Sequence, residues 1–106
     1  MTVAVVILRK RGISHQLFSW EGLVLPYYVY VLLCDDGSYY TGYAKDVDSR
    51  VKQHMNGVGA RYTKVHRPRR LVHTEEFHTI REAMSRERAI KRLRHDEKRK
   101  LVSAPL

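Results

Sequence analysis

The 106-residue sequence predicts an α/β domain of the α+β kind, a small three-stranded antiparallel sheet flanked by helices. Three observations carry that expectation. Tyr28, Tyr30, Leu32 and Cys34 alternate with Val29, Val31 and Leu33, so both faces of this strand are largely apolar and the sheet should be covered on both sides. Asp35-Asp36-Gly37 fits a three-residue hairpin loop, a type I turn closed by a glycine in the left-handed region. Two later stretches carry helix start signals: an Asp46 N-cap with Asp48 in the first turn, and Thr79 followed three residues later by Glu82 as a capping box.

The loop length fixes the hairpin register. With three loop residues Cys34 faces Ser38, Leu32 faces Tyr40 and Tyr30 faces Gly42, all on one side of the sheet because side-chain direction repeats every two residues. Two phenols then share a face beside a glycine that leaves room. A two-residue loop would put Tyr30 and Tyr40 on opposite faces.

A helix is expected from about Val47 to Met55. Val47, Val51 and Met55 form its buried edge, and Arg50 and His54, four residues apart, project side by side next to that edge, within reach of the tyrosines. Asn56 to Pro68 reads as a loop punctuated by Gly57 and Gly59 and charged by Arg61, Lys64 and Arg67. With Tyr62 interleaved, it suits a phosphodiester backbone and a stacked base, and it equally suits a solvated connection. Leu71 to Phe77 reads as a third strand with His73 and Glu75 on one face. An exposed strand face accounts for that pair better than metal ligation, since no third ligand lies at helical or strand spacing nearby.

The second helix runs from the Thr79 cap to about Arg94 on a stripe of Ile80, Ala83, Met84, Ile90 and Leu93. Glu87 falls on that stripe, four after Ala83 and three before Ile90. A carboxylate there is costly unless it is paired, with Arg50 or another base, or binds a cation. His95-Asp96-Glu97 starts a short last helix that packs Leu101 and Val102, and residues 103–106 read as a tail.

Twenty Lys and Arg against 11 Asp and Glu give a formal net charge of +9, which implies an anionic partner, most often nucleic acid. From Arg86 to Lys100 the charge is almost uniformly basic, broken by Glu87, Asp96 and Glu97, and reads as a surface that tracks a phosphate backbone. The single cysteine, Cys34, excludes an intrachain disulfide and a paired-thiolate zinc site; it suits a reducing, cytoplasmic setting and reads as a small buried hydrophobe.

Residues 1–26 read as an N-terminal extension to one domain at 27–102. Their apolar run, Thr2 to Leu8, is far short of the about 20 residues that span a bilayer, so no membrane role is expected. The basic Arg9-Lys10-Arg11 follows that run, the reverse of a secretory signal. An extra edge strand, a flexible leader and a start codon placed too far upstream are the alternatives, with Trp20, Leu23 and Leu25 as candidates to dock on the core.

Tyr28-Val29-Tyr30, Tyr40-Thr41-Gly42 and Arg50, in that order, resemble the GIY, the YIG and the helical arginine of the GIY-YIG nuclease superfamily. The resemblance covers about Tyr27 to Val102 and is greatest to the small single-domain bacterial branch. Glu87, within Arg86-Glu87-Arg88-Ala89-Ile90-Lys91, matches the family's metal-binding glutamate. Tyr28 replaces the first glycine and Thr41 the isoleucine. Tyr43 stands where the superfamily's nucleotide-excision repair endonucleases have lysine, and Arg99 where many members have asparagine.

The resemblance implies a GIY-YIG-like fold and a divalent-metal-dependent nuclease that hydrolyses DNA, selective for structure rather than sequence, in a DNA-repair setting. One Mg²⁺ or Mn²⁺ ion would sit on Glu87. Arg50 would clamp the scissile phosphate, His54 would orient that contact or shuttle a proton, Tyr30 would be the general base and Tyr40 its support, the choice between the two tyrosines staying open. Lys45, Arg61, Tyr62, Lys64, Arg67 and Lys91 are the expected nucleic-acid contacts, with RNA an alternative to DNA. Competing with the nuclease is a catalytically silent nucleic-acid-binding module of the same fold. A protein-interaction adaptor fits less well, because charge of one sign dominates.

Overall fold

The strand that is apolar on both sides, β1 at Tyr27–Cys34, is the middle of the sheet in the computed structural model, which describes residues 26–103. Strands β2, Tyr39–Ala44, and β3, Pro68–Phe77, flank it in the order β2-β1-β3, both antiparallel to it. Val29, Tyr30, Val31 and Leu32 have no exposed surface at all. The expected turn joins β1 to β2: the Cys34 amide donates to the Ser38 carbonyl at 2.8 Å, the Gly37 amide to the Cys34 carbonyl at 2.9 Å, and Gly37 takes a φ of +85°. Tyr30 consequently pairs with Gly42 and Leu32 with Tyr40. Strand β3 begins at Pro68 rather than Leu71, and its register against β1 shifts between Val31 and Leu32 and again between Leu33 and Cys34.

Helix α1, Val47–Met55, starts where the Asp46 carboxylate accepts the Ser49 amide at 3.2 Å. Its buried edge differs from the expected one. Val47 and His54 are buried, whereas Met55 is 39% exposed. Positions 47, 51 and 54 share one stripe, and hydrogen bonds to the imidazole repay its desolvation. The segment expected to be a plain loop contains a short helix, α2, Arg61–Val65, whose inward side chain is Thr63.

Helix α3, Ile80–Lys91, carries the complete capping box, Thr79 Oγ1 accepting the Glu82 amide and Glu82 Oε1 accepting the Thr79 amide. It stops at Lys91, short of Arg94, and Ile80, at its first position, is 44% exposed rather than part of the buried stripe. Helix α4, His95–Ser103, follows.

Both faces of the sheet are covered. Tyr28, Tyr30, Leu32, Ala44 and Val47 pack together with Val51 and Leu71 on the α1 side. Val29, Val31, Ala83 and Ile90 pack with Leu93, Leu101 and Val102 on the α3 and α4 side. The His73 and Glu75 face is not open to solvent as expected. Arg86 of α3 lies over it, donating from Nε to Glu75 Oε1 at 2.8 Å and from Nη2 to Oε2 at 3.0 Å, while His73 Nε2 meets Oε2 at 2.7 Å. Burial alone would raise the Glu75 carboxyl; the bonds from His73 and Arg86 outweigh it and hold the pKa down at about 2.

Trp20, Leu23, Leu25 and the rest of residues 1–25 lie outside the described residues, as do 104–106; Ser103, expected to begin the tail, is the last residue of α4. Among the described residues no helix is long and apolar enough to cross a membrane.

Candidate active site

Tyr30 is the fixed point of the site because its strand is held on both sides. Its ring lies over Gly42 of β2, so near that a Cβ there would stand 2.6 Å from Oη and 2.8 Å from Cζ. Only glycine lets the two strands pair with a phenol between them. Oη is 2.8 Å from Nε2 of the buried His54. Tyr40, two positions from Gly42 on the same face, brings its ring centroid within 6.2 Å of Tyr30 and 4.9 Å of His54.

One pocket is lined by Tyr30, Tyr40, Gly42, Tyr43, Arg50 and Glu87. Arg50 comes from α1 on one side of the sheet and Glu87 from α3 on the other, with Gly42 and Tyr43 of the edge strand β2 between them. The pocket therefore opens at the β2 edge. Four of the five expected catalytic residues line it, and the fifth, His54, is one hydrogen bond behind Tyr30.

Glu87 is mostly buried, with 15% of its side chain exposed, and its ion pair is with Lys91 one turn along the helix, Oε2 to Nζ at 3.1 Å, rather than with Arg50. Lys91 is half exposed, and a pair of this kind contributes about 0.3–0.5 kcal/mol. That partner is too weak to account for a carboxylate on an inward stripe. Among the described residues no three His, Cys, Asp or Glu cluster as metal ligands, so a cation here would have Glu87 as its one protein carboxylate.

Burial pushes the Tyr30 phenol well above its usual range, Tyr40 adds to the rise and Arg50 opposes it. Burial, with Arg50 nearby, lowers His54. Both groups are therefore neutral near pH 7, Tyr30 with its proton and His54 without a second one. The far nitrogen, His54 Nδ1, lies 2.8 Å from Thr63 Oγ1, and Thr63 donates to the Ala60 carbonyl at 2.9 Å. A Cβ at Gly59 would overlap Nδ1. The segment that suited a substrate loop and a solvated connection equally thus folds around the imidazole.

The expected nucleic-acid contacts do not form one cluster. Lys91 stands beside Glu87, Lys64 and Arg67 line a separate groove with His54, Met55 and Val65, and Arg61 is exposed at the start of α2. Lys45 places Nζ 5.2 Å above the Tyr27 ring. The Tyr62 ring stacks on His66 at 4.1 Å and lies 5.9 Å from Tyr40, so its neighbours are rings of the protein itself. Tyr43, Gly59 and Thr63 were not foreseen as parts of the site. The signal for the last two was an imidazole on an inward stripe, because each of its nitrogens then needs a partner.

The family model of the GIY-YIG catalytic domain matches residues 26–100. A UPF0213 protein of Staphylococcus saprophyticus is 51% identical over 77 residues, 73% of this chain and 94% of that protein. A UPF0213 protein of Staphylococcus aureus is 50% identical over 76 residues, 72% of this chain and 93% of that protein. A solution NMR structure of an E. faecalis protein, 40% identical, covers 73% of this chain and 82% of its own with a TM-score of 0.51. With the matched span running from β1 into α4, and with the tyrosines, arginine and glutamate of the motif gathered at one pocket, this chain belongs to the GIY-YIG catalytic domain family.

Proposed function

We propose that this protein is a nuclease that hydrolyses phosphodiester bonds in DNA with the aid of one divalent cation, and that it selects DNA structure rather than sequence. The observation that carries the reading is the pocket at the β2 edge, where a carboxylate from α3 meets two phenols and a guanidinium from the other side of the sheet. Glu87 would hold a Mg²⁺ or Mn²⁺ ion, which when bound supplies positive charge to the phosphoryl and leaving oxygens. The donor set fits, being one hard oxygen ligand in a pocket open enough for substrate phosphate and water to complete the shell.

Arg50 presents a planar fork of donors suited to two phosphate oxygens. Tyr30 is fully protonated at rest, so it acts as a relay: as Oη takes a proton from the attacking water, its own proton passes to His54 Nε2. The water oxygen then bonds to phosphorus as the bond to the leaving oxygen breaks, the leaving oxygen takes a proton from solvent to depart as the alcohol, and His54, left as imidazolium, returns its proton to solvent through Tyr30. Tyr40, packed against both rings, keeps the phenol and the imidazole in line. Residues 27–102 make up the working domain, in the cytoplasm. The net charge of +9 supplies the attraction to a polyanion.

The test is to incubate the purified protein with branched, nicked and single-stranded DNA and Mg²⁺ or Mn²⁺, beside Glu87→Ala. Cleavage by the wild type alone is expected. Binding without any cleavage above the variant would leave a nucleic-acid-binding module, the reading that the charge by itself supports.

A further inference from the structure

We propose that Thr63 is a positioning residue that fixes His54 as the tautomer protonated on Nδ1, leaving a bare Nε2 lone pair facing the Tyr30 hydroxyl. The inference deepens the proton relay proposed above and, for its bearing on turnover, rests on that reading. A neutral imidazole has one N–H and two nitrogens, and here both are occupied: Nε2 by Tyr30 Oη and Nδ1 by Thr63 Oγ1, each at 2.8 Å, on a residue only 1% exposed. Two proton arrangements satisfy those contacts. In one, Tyr30 donates to Nε2 and Nδ1–H donates to Thr63. In the other, Thr63 donates to Nδ1 and Nε2–H donates to Tyr30.

The Ala60 carbonyl decides between them. It accepts only, and it lies 2.9 Å from Thr63 Oγ1. The single hydroxyl proton of Thr63 is therefore spent on Ala60, and the oxygen has only lone pairs to offer the ring. Nδ1 must bring the proton. The Ala60 amide also points at Nδ1, which on its own would favour a bare nitrogen there, but at 3.4 Å it is at the limit of a hydrogen bond and is outweighed by the 2.9 Å bond that commits the Thr63 proton to the carbonyl.

The arrangement is one-directional. Protons run from Tyr30 to His54, His54 to Thr63 and Thr63 to Ala60, so the phenol is poised to give its proton up. The reverse tautomer would make Tyr30 an acceptor from the ring, and a relay through it would stall. Gly59 keeps the ring in register, since a Cβ there would also lie 2.8 Å from Cε1 and 2.9 Å from Cγ. Thr63 itself is 2% exposed and stands behind the imidazole, on the side away from Tyr30.

Ring-nitrogen NMR on ¹⁵N-labelled protein decides the matter without any turnover. Wild type should show a protonated Nδ1 and a bare Nε2. Thr63→Val, nearly isosteric, should lose that preference and show protonated Nε2, with kcat down roughly 10–100-fold and KM and DNA affinity unchanged. Thr63→Ser, which keeps the hydroxyl, should restore both the spectrum and the rate. A wild-type spectrum with Nε2 protonated overturns the proposal even if Thr63→Val does not fold. So does a folded Thr63→Val with the wild-type spectrum. Wild type that has the stated tautomer yet cuts no DNA would defeat the nuclease reading and leave the tautomer assignment standing.

Discussion

Replacing Gly42 by alanine should damage stability and site together, because the new methyl has one place to go and Tyr30 fills it. The added Cβ would meet Oη at 2.6 Å, Cζ at 2.8 Å and Cε2 at 3.2 Å, all inside the 3.4 Å at which ordinary contact begins. Tyr30 has no exposed surface, so its ring cannot swing outward, and either the ring tilts or the β1–β2 pairing loosens. Overpacking of this kind costs about 1–3 kcal/mol. For a domain of this size each kcal/mol lowers the melting temperature by about 4–8 °C, so a drop of roughly 4–24 °C is expected in a circular dichroism melt. Any tilt that clears the methyl also lengthens the 2.8 Å bond from Oη to His54, so cleavage should fall even well below the new midpoint. A Gly42→Ala protein that melts within about 1 °C of wild type, and cuts as fast, would refute the close approach of ring and strand on which the site is built.

Two more outcomes test the electrostatics. Glu75, held at about 2 against an ordinary 4.5, contributes stability that is complete above 4.5 and lost as pH falls toward 2; the shift corresponds to about 3 kcal/mol. Glu75→Gln should therefore melt lower at pH 7 and show a flatter acid limb, and coincident pH profiles would discount the network. Since burial and Arg50 depress His54, its contribution to stability is complete above the ordinary 6.5 and declines as pH falls through the lower folded value. Cleavage should follow, because imidazolium cannot take the Tyr30 proton: the acid limb of kcat should lie below pH 6.5, and a limb centred above 6.5 would contradict a buried neutral acceptor.

What could be read from the sequence was local. The Asp35-Asp36-Gly37 loop dictated which residue faces which, and the Asp46 and Thr79 caps fixed where two helices begin, because each signal acts within a few residues. Helix α2 escaped notice for the same reason: Ala60 offers no side-chain cap, and the segment coils because Thr63 is tied to an imidazole from the preceding helix. Hydropathy put Met55 inside and left His54 at the margin, the reverse of what hydrogen bonding arranged. Glu75 looked exposed because nothing along a strand announces an arginine from a later helix. Of the residues lining the pocket, Tyr30, Tyr40, Gly42, Arg50 and Glu87 each stood out in the sequence, but the meeting of Glu87 with Tyr30 around the edge of a sheet was legible only through the resemblance. Tyr43 was marked only as a departure from the family pattern, and nothing in a strand rich in tyrosines pointed it at the pocket.

The two ends of the Tyr30–His54 hydrogen bond belong to regions of different permanence. The phenol stands on the strand with neighbours on both sides, the part of the molecule whose amides should exchange with deuterium only on global opening. The imidazole is retained by a nine-residue helix and a five-residue one, short elements that fray at far lower cost. Warming should consequently dismantle the proton acceptor while the sheet is still intact, giving a window in which the protein is folded, still cationic enough to hold nucleic acid, and inert.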